Sequence, residues 1–244
     1  MIWQKLKLNW SNAIGELVII VVGVLIALAI DQWNANRLER LEEVNAVSRI
    51  IIDLQTDLDD FAFRLESVSA KEQSLLRVKA ALEQDIESEP VQFLTDIIVG
   101  SDIGWNQGFA QRSTYDNLMA SGQLSIIQKA DIRAKISSYY RLYEDEHIRI
   151  EERETGYPAL SYQLVPRRGL EKLSDEITLE RTLDPNLSER QLLDLVHLVR
   201  SSSISNQVTA ELNLARFIRE VELVLQWQAK NLVGELEGYL DQFE

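Results

Sequence analysis

Residues Ala13 to Ile30, AIGELVIIVVGVLIALAI, form an almost wholly apolar run that carries a single ionisable side chain, Glu16. Trp10 and Trp33 flank it 23 residues apart, about 34 Å along a helix. That length matches a hydrocarbon core of roughly 30 Å with an aromatic ring at each interface. The run therefore reads as a transmembrane helix over 13–33, behind a short basic tail at 1–12, with Trp10 and Trp33 as membrane-interface anchors and lipid as the first partner. The competing reading is a cleavable signal peptide, because Ala27-Leu28-Ala29 has the small-x-small form of a cleavage site. A carboxylate so early in the run, and the lack of any break after it, favour a retained anchor.

Glu16 sits inside the apolar layer towards its N-terminal side. A carboxylate there costs several kcal/mol unless it snorkels, pairs or protonates. Glu16 and Gly23 are one heptad apart, and Gly23 and Ala27 form a small-xxx-small pair on the same side, where two helices in lipid can approach closely. Gly15, Glu16, Gly23 and Ala27 are thus the candidate oligomer interface. The alternative is that Glu16 from several copies lines an ion pathway. Lys5 and Lys7 before the run nearly balance Arg37, Arg40 and Arg49 after it, so charge bias decides little. A tail of about a dozen residues fits an N-terminus in the cytoplasm of a bacterial inner membrane, with the remaining domain in the periplasm.

From Val24 to Glu89 there is neither glycine nor proline, so the helix can continue into a long heptad-patterned helix over 34–89. The apolar series is Val44, Val47, Ile51, Leu54, Leu58, Phe61, Leu65, Val68, Leu75, Leu82 and Ile86, with Glu72 and Lys79 at seam positions that weaken its distal half. Ile50 and Ile52 suggest a seam wider than a two-stranded coil. This helix pairs either with a copy of itself or with later helices of its own chain, a helical bundle over 90–244. There, Ser88-Glu89-Pro90 opens a short helix to Val99, and Gly100–Gly108 reads as a loop in which Trp105 is either an anchor into the core or an exposed contact for a partner. Ser121-Gly122 stops a helix whose apolar face is Tyr115, Leu118 and Met119, and Ile132, Ile136, Tyr139, Tyr140 and Tyr143 mark the next. Gly156-Tyr157-Pro158 interrupts that helix, and Arg167-Arg168-Gly169 forms a connection. Ser188 to Gln191 is a capping box. A last helix, from about Ile204 to Tyr239, buries Leu212, Ala215, Ile218, Leu223, Leu225 and Leu232. The expected fold class is all-α: an N-terminal transmembrane helix running into a long helix, with an extramembrane bundle of about six helices.

Two blocks carry a likeness. AIGELVIIVVGVLIALAIDQWN, Ala13 to Asn34, has a Gly-Glu pair at the head of its apolar run, and STYDNLMASGQLSIIQKADIRAKISSYY, Ser113 to Tyr140, reads as helix-turn-helix. With these the chain resembles a family of uncharacterised bacterial single-pass membrane proteins, a domain of unknown function. The resemblance implies an N-terminal anchor and a helical domain, and brings no activity, substrate or cofactor.

A formal net charge of −14 argues against nucleic acid, which needs a basic footprint. The chain has no cysteine, which rules out disulfides and thiol catalysis. His147 and Glu151 stand at i, i+4 with Glu144 one turn earlier, a spacing that could share a metal, but it reads better as a solvated acidic face. His197 reads as a core or boundary residue. Neither a nucleophile elbow nor a phosphate-binding glycine loop is present. No catalytic residue, metal site or cofactor is expected, and the chain is not expected to be an enzyme. The expected role is a membrane-anchored scaffold or interaction protein, a homo-oligomer or an accessory subunit beside a membrane-protein partner. The alternative role is an oligomeric channel or ion-coupled subunit.

Overall fold

In a computed structural model the chain is all-α. The structure describes residues 10–83, 89–101, 110–167 and 182–243, with side chains from residue 15 onwards. Among these residues there are seven α-helices: α1 (Trp10–Glu83), α2 (Pro90–Gly100), α3 (Ser113–Ala120), α4 (Ala130–Glu151), α5 (Tyr157–Leu164), α6 (Glu189–Ser201) and α7 (Ser205–Leu240). The one strand-like contact among them is an isolated antiparallel bridge between Arg167 and Leu183.

The apolar run and the heptad-patterned segment are one helix. With 74 residues, α1 extends about 110 Å, and the absence of glycine and proline beyond Gly23 leaves nothing to bend it. Its N-terminal part stands clear of the bundle: the most apolar 18-residue window has a mean hydropathy of 2.1 and no buried residue. From Glu43 onwards α1 is the spine of the bundle. The 36-residue α7 lies antiparallel along it, so the C-terminal Tyr239 returns to Glu43 while Glu211 meets Lys71 further out.

Two cores stack along this pair. The proximal one joins Val47, Ile50, Leu54 and Phe61 to Tyr139, Tyr140 and Tyr143 of α4 and to Ile218 and Leu225 of α7. The distal one joins Leu75 and Val78 to Leu94 and Ile97 of α2, Tyr157 of α5 and Leu212 of α7. The heptads of α1 are thus covered by its own chain. The tyrosine cluster lines this interface: Tyr115 and Tyr140 stack with centroids 4.6 Å apart, and Tyr139 meets Tyr140 edge-on at 5.2 Å.

Local signals explain most helix ends. Gly122, at φ +69°, takes the left-handed conformation just beyond the Ser121 cap of α3, and a short 3-10 turn over Gln123–Ile126 follows before α4. The Ser188–Gln191 capping box forms in full at the start of α6. Pro90 occupies the first turn of α2, but the cap position is Glu89 rather than Ser88, without a side-chain bond. Gly156-Tyr157-Pro158 does not end α4, which stops earlier at Glu151 with Glu152 as its cap, but it does open α5.

Other expectations need correction. Leu223, expected in the buried face of α7, is 44% exposed, because the helix turns its Leu212, Ile218 and Leu225 side to α1. Met119, expected on the apolar face of α3, is exposed while Tyr115 and Leu118 are buried. Ile52 likewise faces solvent while Ile50 is buried, so the α1 seam is narrower than the apolar count suggests. His197 is exposed rather than in the core or at its boundary, since the amphipathic α6 buries Val199 instead. His147 does not lie on an open face: it stacks on Tyr143 at 6.2 Å. Trp105, Ile86, Ser88, Arg168 and Gly169 lie outside the described residues.

Candidate interaction surface and the polar ladder behind it

The candidate interface residues all lie on the uncovered part of α1. Glu16 and Gly23 are separated by two turns, and Ala27 follows Gly23 by one, so the three share a side of the helix. Gly15 lies about 100° round from Glu16. A methyl group built on Gly15 or Gly23 would meet no atom of this chain within 4 Å. Trp33 is exposed, and the side chain of Trp10 lies outside the described set. Among the described residues, nothing occupies this surface.

Behind it, the bundle is organised by buried charges. Glu43, Asp57, Arg64 and Lys71 recur at multiples of seven with Ile50 and Val78, and all six are buried. Each charge meets a partner. Arg64 Nε donates to both carboxylate oxygens of Glu222, each at 3.1 Å, and Lys71 pairs with Glu211, which also accepts from Thr155. Asp57 accepts from the Tyr139 hydroxyl at 2.9 Å and from the Gln111 backbone N–H at 2.7 Å. Glu43 accepts from the Tyr239 hydroxyl and, at 2.6 Å, from the Gln128 backbone N–H. Nearby, Asp53 accepts from the backbone N–H of Thr114 at 3.1 Å, in the first turn of α3.

One of these carboxylates does the work of a helix cap. Neither α3 nor α4 has a side-chain cap of its own. Asp53 takes up the Thr114 N–H in the first turn of α3, while Asp57 and Glu43 hold Gln111 and Gln128 just ahead of α3 and α4. The seam charge Glu72 has a use as well: it faces Arg216 at 2.9 Å and Arg219 at 3.0 Å on α7. Sequence reasoning read only the apolar heptads and missed this ladder. The signal was the seven-residue recurrence of Glu43, Asp57, Arg64 and Lys71 beside them.

The electrostatics follow from burial. Burial raises the Asp57 carboxyl to about 6, outweighing the bonds from Gln111 and Tyr139 that favour its charge. Burial also pushes the Glu222 carboxyl up, against the pull of Arg64. The Tyr139 hydroxyl is driven far above its ordinary range by burial and by the Asp57 charge, so it remains a donor. Asp57 and Tyr139 are both buried, and Tyr139 forms part of the wall of an open groove of about 550 Å³ between α4 and α7. There Lys135 bridges Asp131 at 3.1 Å and Glu235 at 3.0 Å. Its polar groups are spread along two helix faces and do not converge on a point.

His147 Nε2 lies 3.3 Å from Glu151, whereas Glu144 pairs with Arg112 at 3.6 Å. The three do not share a centre, and no group of three metal-ligating side chains stands together among the described residues.

A family of unknown function, DUF6090, matches residues 16–154, more than half of the chain. The chain belongs to this family. The match begins at Glu16 and runs through the apolar stretch, the polar heptads of α1 and the whole of α4. It stops before α7, the helix that supplies Glu211, Glu222 and Tyr239. No curated protein and no solved structure matches the chain.

Proposed function

We propose that this protein is a single-pass, membrane-anchored scaffold of the bacterial inner membrane, its N-terminus cytoplasmic and its helical bundle periplasmic. It associates with itself or serves as an accessory subunit of a membrane complex. One observation carries the reading: the most apolar window of α1 is left wholly uncovered, while the bundle beyond Glu43 closes around two cores of its own. A core helix would be covered by its own chain; an anchor is covered by lipid. Glu16, Gly23 and Ala27 on one side of that helix support a helix partner within the bilayer.

The test uses full-length protein in lipid nanodiscs and in membranes. The expected results are resistance to carbonate extraction and a mass above one copy by light scattering, reduced by Gly23→Leu. Extraction by carbonate would overturn the anchor, and a monomer of unaltered mass would overturn self-association.

A second reading makes Glu16 part of an ion pathway, because its side chain stands exposed within the apolar run. Glu16→Gln decides this: a proton or cation flux through reconstituted protein that the substitution leaves unchanged removes the channel reading.

A further inference from the structure

We propose that the solvent side of α1 from Arg37 to Gln55 is a docking surface for α1 of a second copy of this chain, paired in parallel and in register. The inference rests on the anchored reading above and deepens it by naming the interface outside the lipid.

The bundle uses one side of α1, where Val47, Ile50, Leu54 and Phe61 are fully buried. A second series runs along the opposite side. Leu38 is 53% exposed, Leu41 48% and Ile52 59%, and Asn45, Ser48 and Gln55 complete a row at spacings of three and four. Leu38, Asn45 and Ile52 take the a positions of a heptad, and Leu41, Ser48 and Gln55 take the d positions. Among the described residues no helix of this chain covers the row. Beside it, α3 and the 3-10 turn stand back from α1, leaving a groove of about 530 Å³ along Glu42, Asn45 and Arg49.

Three features select the occupant. In this register Arg37 is a g residue and Glu42 the following e residue, and a parallel pair brings each Arg37 against the other copy's Glu42. Asn45 at an a position finds its own copy only in a parallel, in-register dimer, the arrangement that such an asparagine specifies. Finally, Glu16, Gly23 and Ala27 continue the same side of the helix into the apolar run, as g, g and d. Two anchors in one membrane already point the same way and are held at high effective concentration.

The seam is thin, and its own chemistry bounds it. Apolar contact rests on Leu38, Leu41 and Ile52; Ser48 adds little area, but its small side chain lets the two helices approach there. Beyond Gln55 the next a residues are Asp59 and Glu66, and towards the membrane Asp31 takes an a position. Like charges would face each other there across a homodimer, so contact is confined to about five turns, roughly 27 Å. A coil so short and half polar is marginal in isolation, and depends on co-anchoring.

The chain's lack of cysteine permits a clean cross-linking test on the full chain in membranes. Single cysteines are placed at d positions (Leu41→Cys and the nearly isosteric Ser48→Cys) and off the seam (Arg40→Cys). Mild oxidation is expected to give disulfide dimers at the d positions at least about tenfold faster than at Arg40, as proximity within a formed interface requires. Arg37→Glu should lower dimerisation, and adding Glu42→Arg should restore it. Equal cross-linking at all three sites, or failure of the double charge swap to restore dimers, overturns the interface. If light scattering still shows more than one copy while the d positions stay unlinked, self-association stands and this seam falls. If the chain is monomeric in nanodiscs, both fall.

Discussion

Arg64 of α1 and Glu222 of α7 face each other with each side chain 7% exposed, the guanidinium Nε 3.1 Å from the carboxylate. Such a pair is worth little against an apolar replacement, but breaking it leaves a buried charge without its counter-ion. Glu222→Ala should therefore destabilise the bundle by about 3–5 kcal/mol, while the double variant Arg64→Met, Glu222→Leu should recover most of that loss. Urea denaturation followed by circular dichroism checks both, and a double variant as unstable as the single one would show that the ion pair itself is stabilising.

Asp57 gives the bundle a pH dependence with a definite sign. Its carboxyl titrates near about 6 in the fold against an ordinary value of 3.8. Between these values the folded chain keeps a proton that the unfolded chain has released. The stability from this site is thus complete at low pH and is lost as pH climbs through about 4 to 6. By neutral pH the loss is on the order of 2–3 kcal/mol. Asp57→Asn removes the titration, so the stability of the original chain relative to this variant should decline across that window. A difference that stays flat from about pH 4 to pH 7 would show that Asp57 is not the titrating group.

Asp53 supplies from α1 the acceptor that α3 lacks at its own N-terminus. Asp53→Ala is expected to cost about 0.5–2 kcal/mol, the range of a lost cap. Hydrogen exchange should speed up first at the Thr114 amide. Unchanged protection there would mean that the cap is dispensable.

Two glycines should resist substitution for different reasons. At Gly122 the positive φ of +69° makes Gly122→Ala cost about 1 kcal/mol through backbone strain alone. At Gly100 a methyl would lie 2.8 Å from Leu75 Cδ2 and 3.1 Å from the Tyr157 hydroxyl. Leu75 is fully buried and has nowhere to move, so Gly100→Ala should cost about 1–3 kcal/mol by overpacking. Thermal melts of the two variants, each set beside Gly234→Ala, where no atom is near, would separate strain from crowding.

The all-α architecture was legible because its signals are local. The apolar run, the stretch without glycine or proline, Gly122 and the Ser188–Gln191 box each act within a few residues. What the heptads of α1 would pack against was not legible, because α7 follows more than a hundred residues later and a seam does not name its partner. The buried charges were missed for a related reason. Arg64, Lys71 and Asp57 look like solvated residues until Glu222, Glu211 and Tyr139 are placed opposite them. On α7 the same limit hid the outward turn of Leu223, whose neighbours Leu225 and Ile218 carry the contact.

The unbroken course of α1 has a mechanical consequence. In the proposed anchored state, with Trp33 at the membrane interface, the helix would carry the bundle on an arm of about 75 Å to Glu83. A change of tilt of about 10°, well within the range open to single helices in bilayers, would swing the distal end sideways by about 13 Å. The antiparallel return of α7 keeps the chain's last helical turn near the pivot, beside Glu43, where it would scarcely move. The far end, built from α2, α5 and α6, would sweep the widest arc, and the bundle would report on the slant of its anchor.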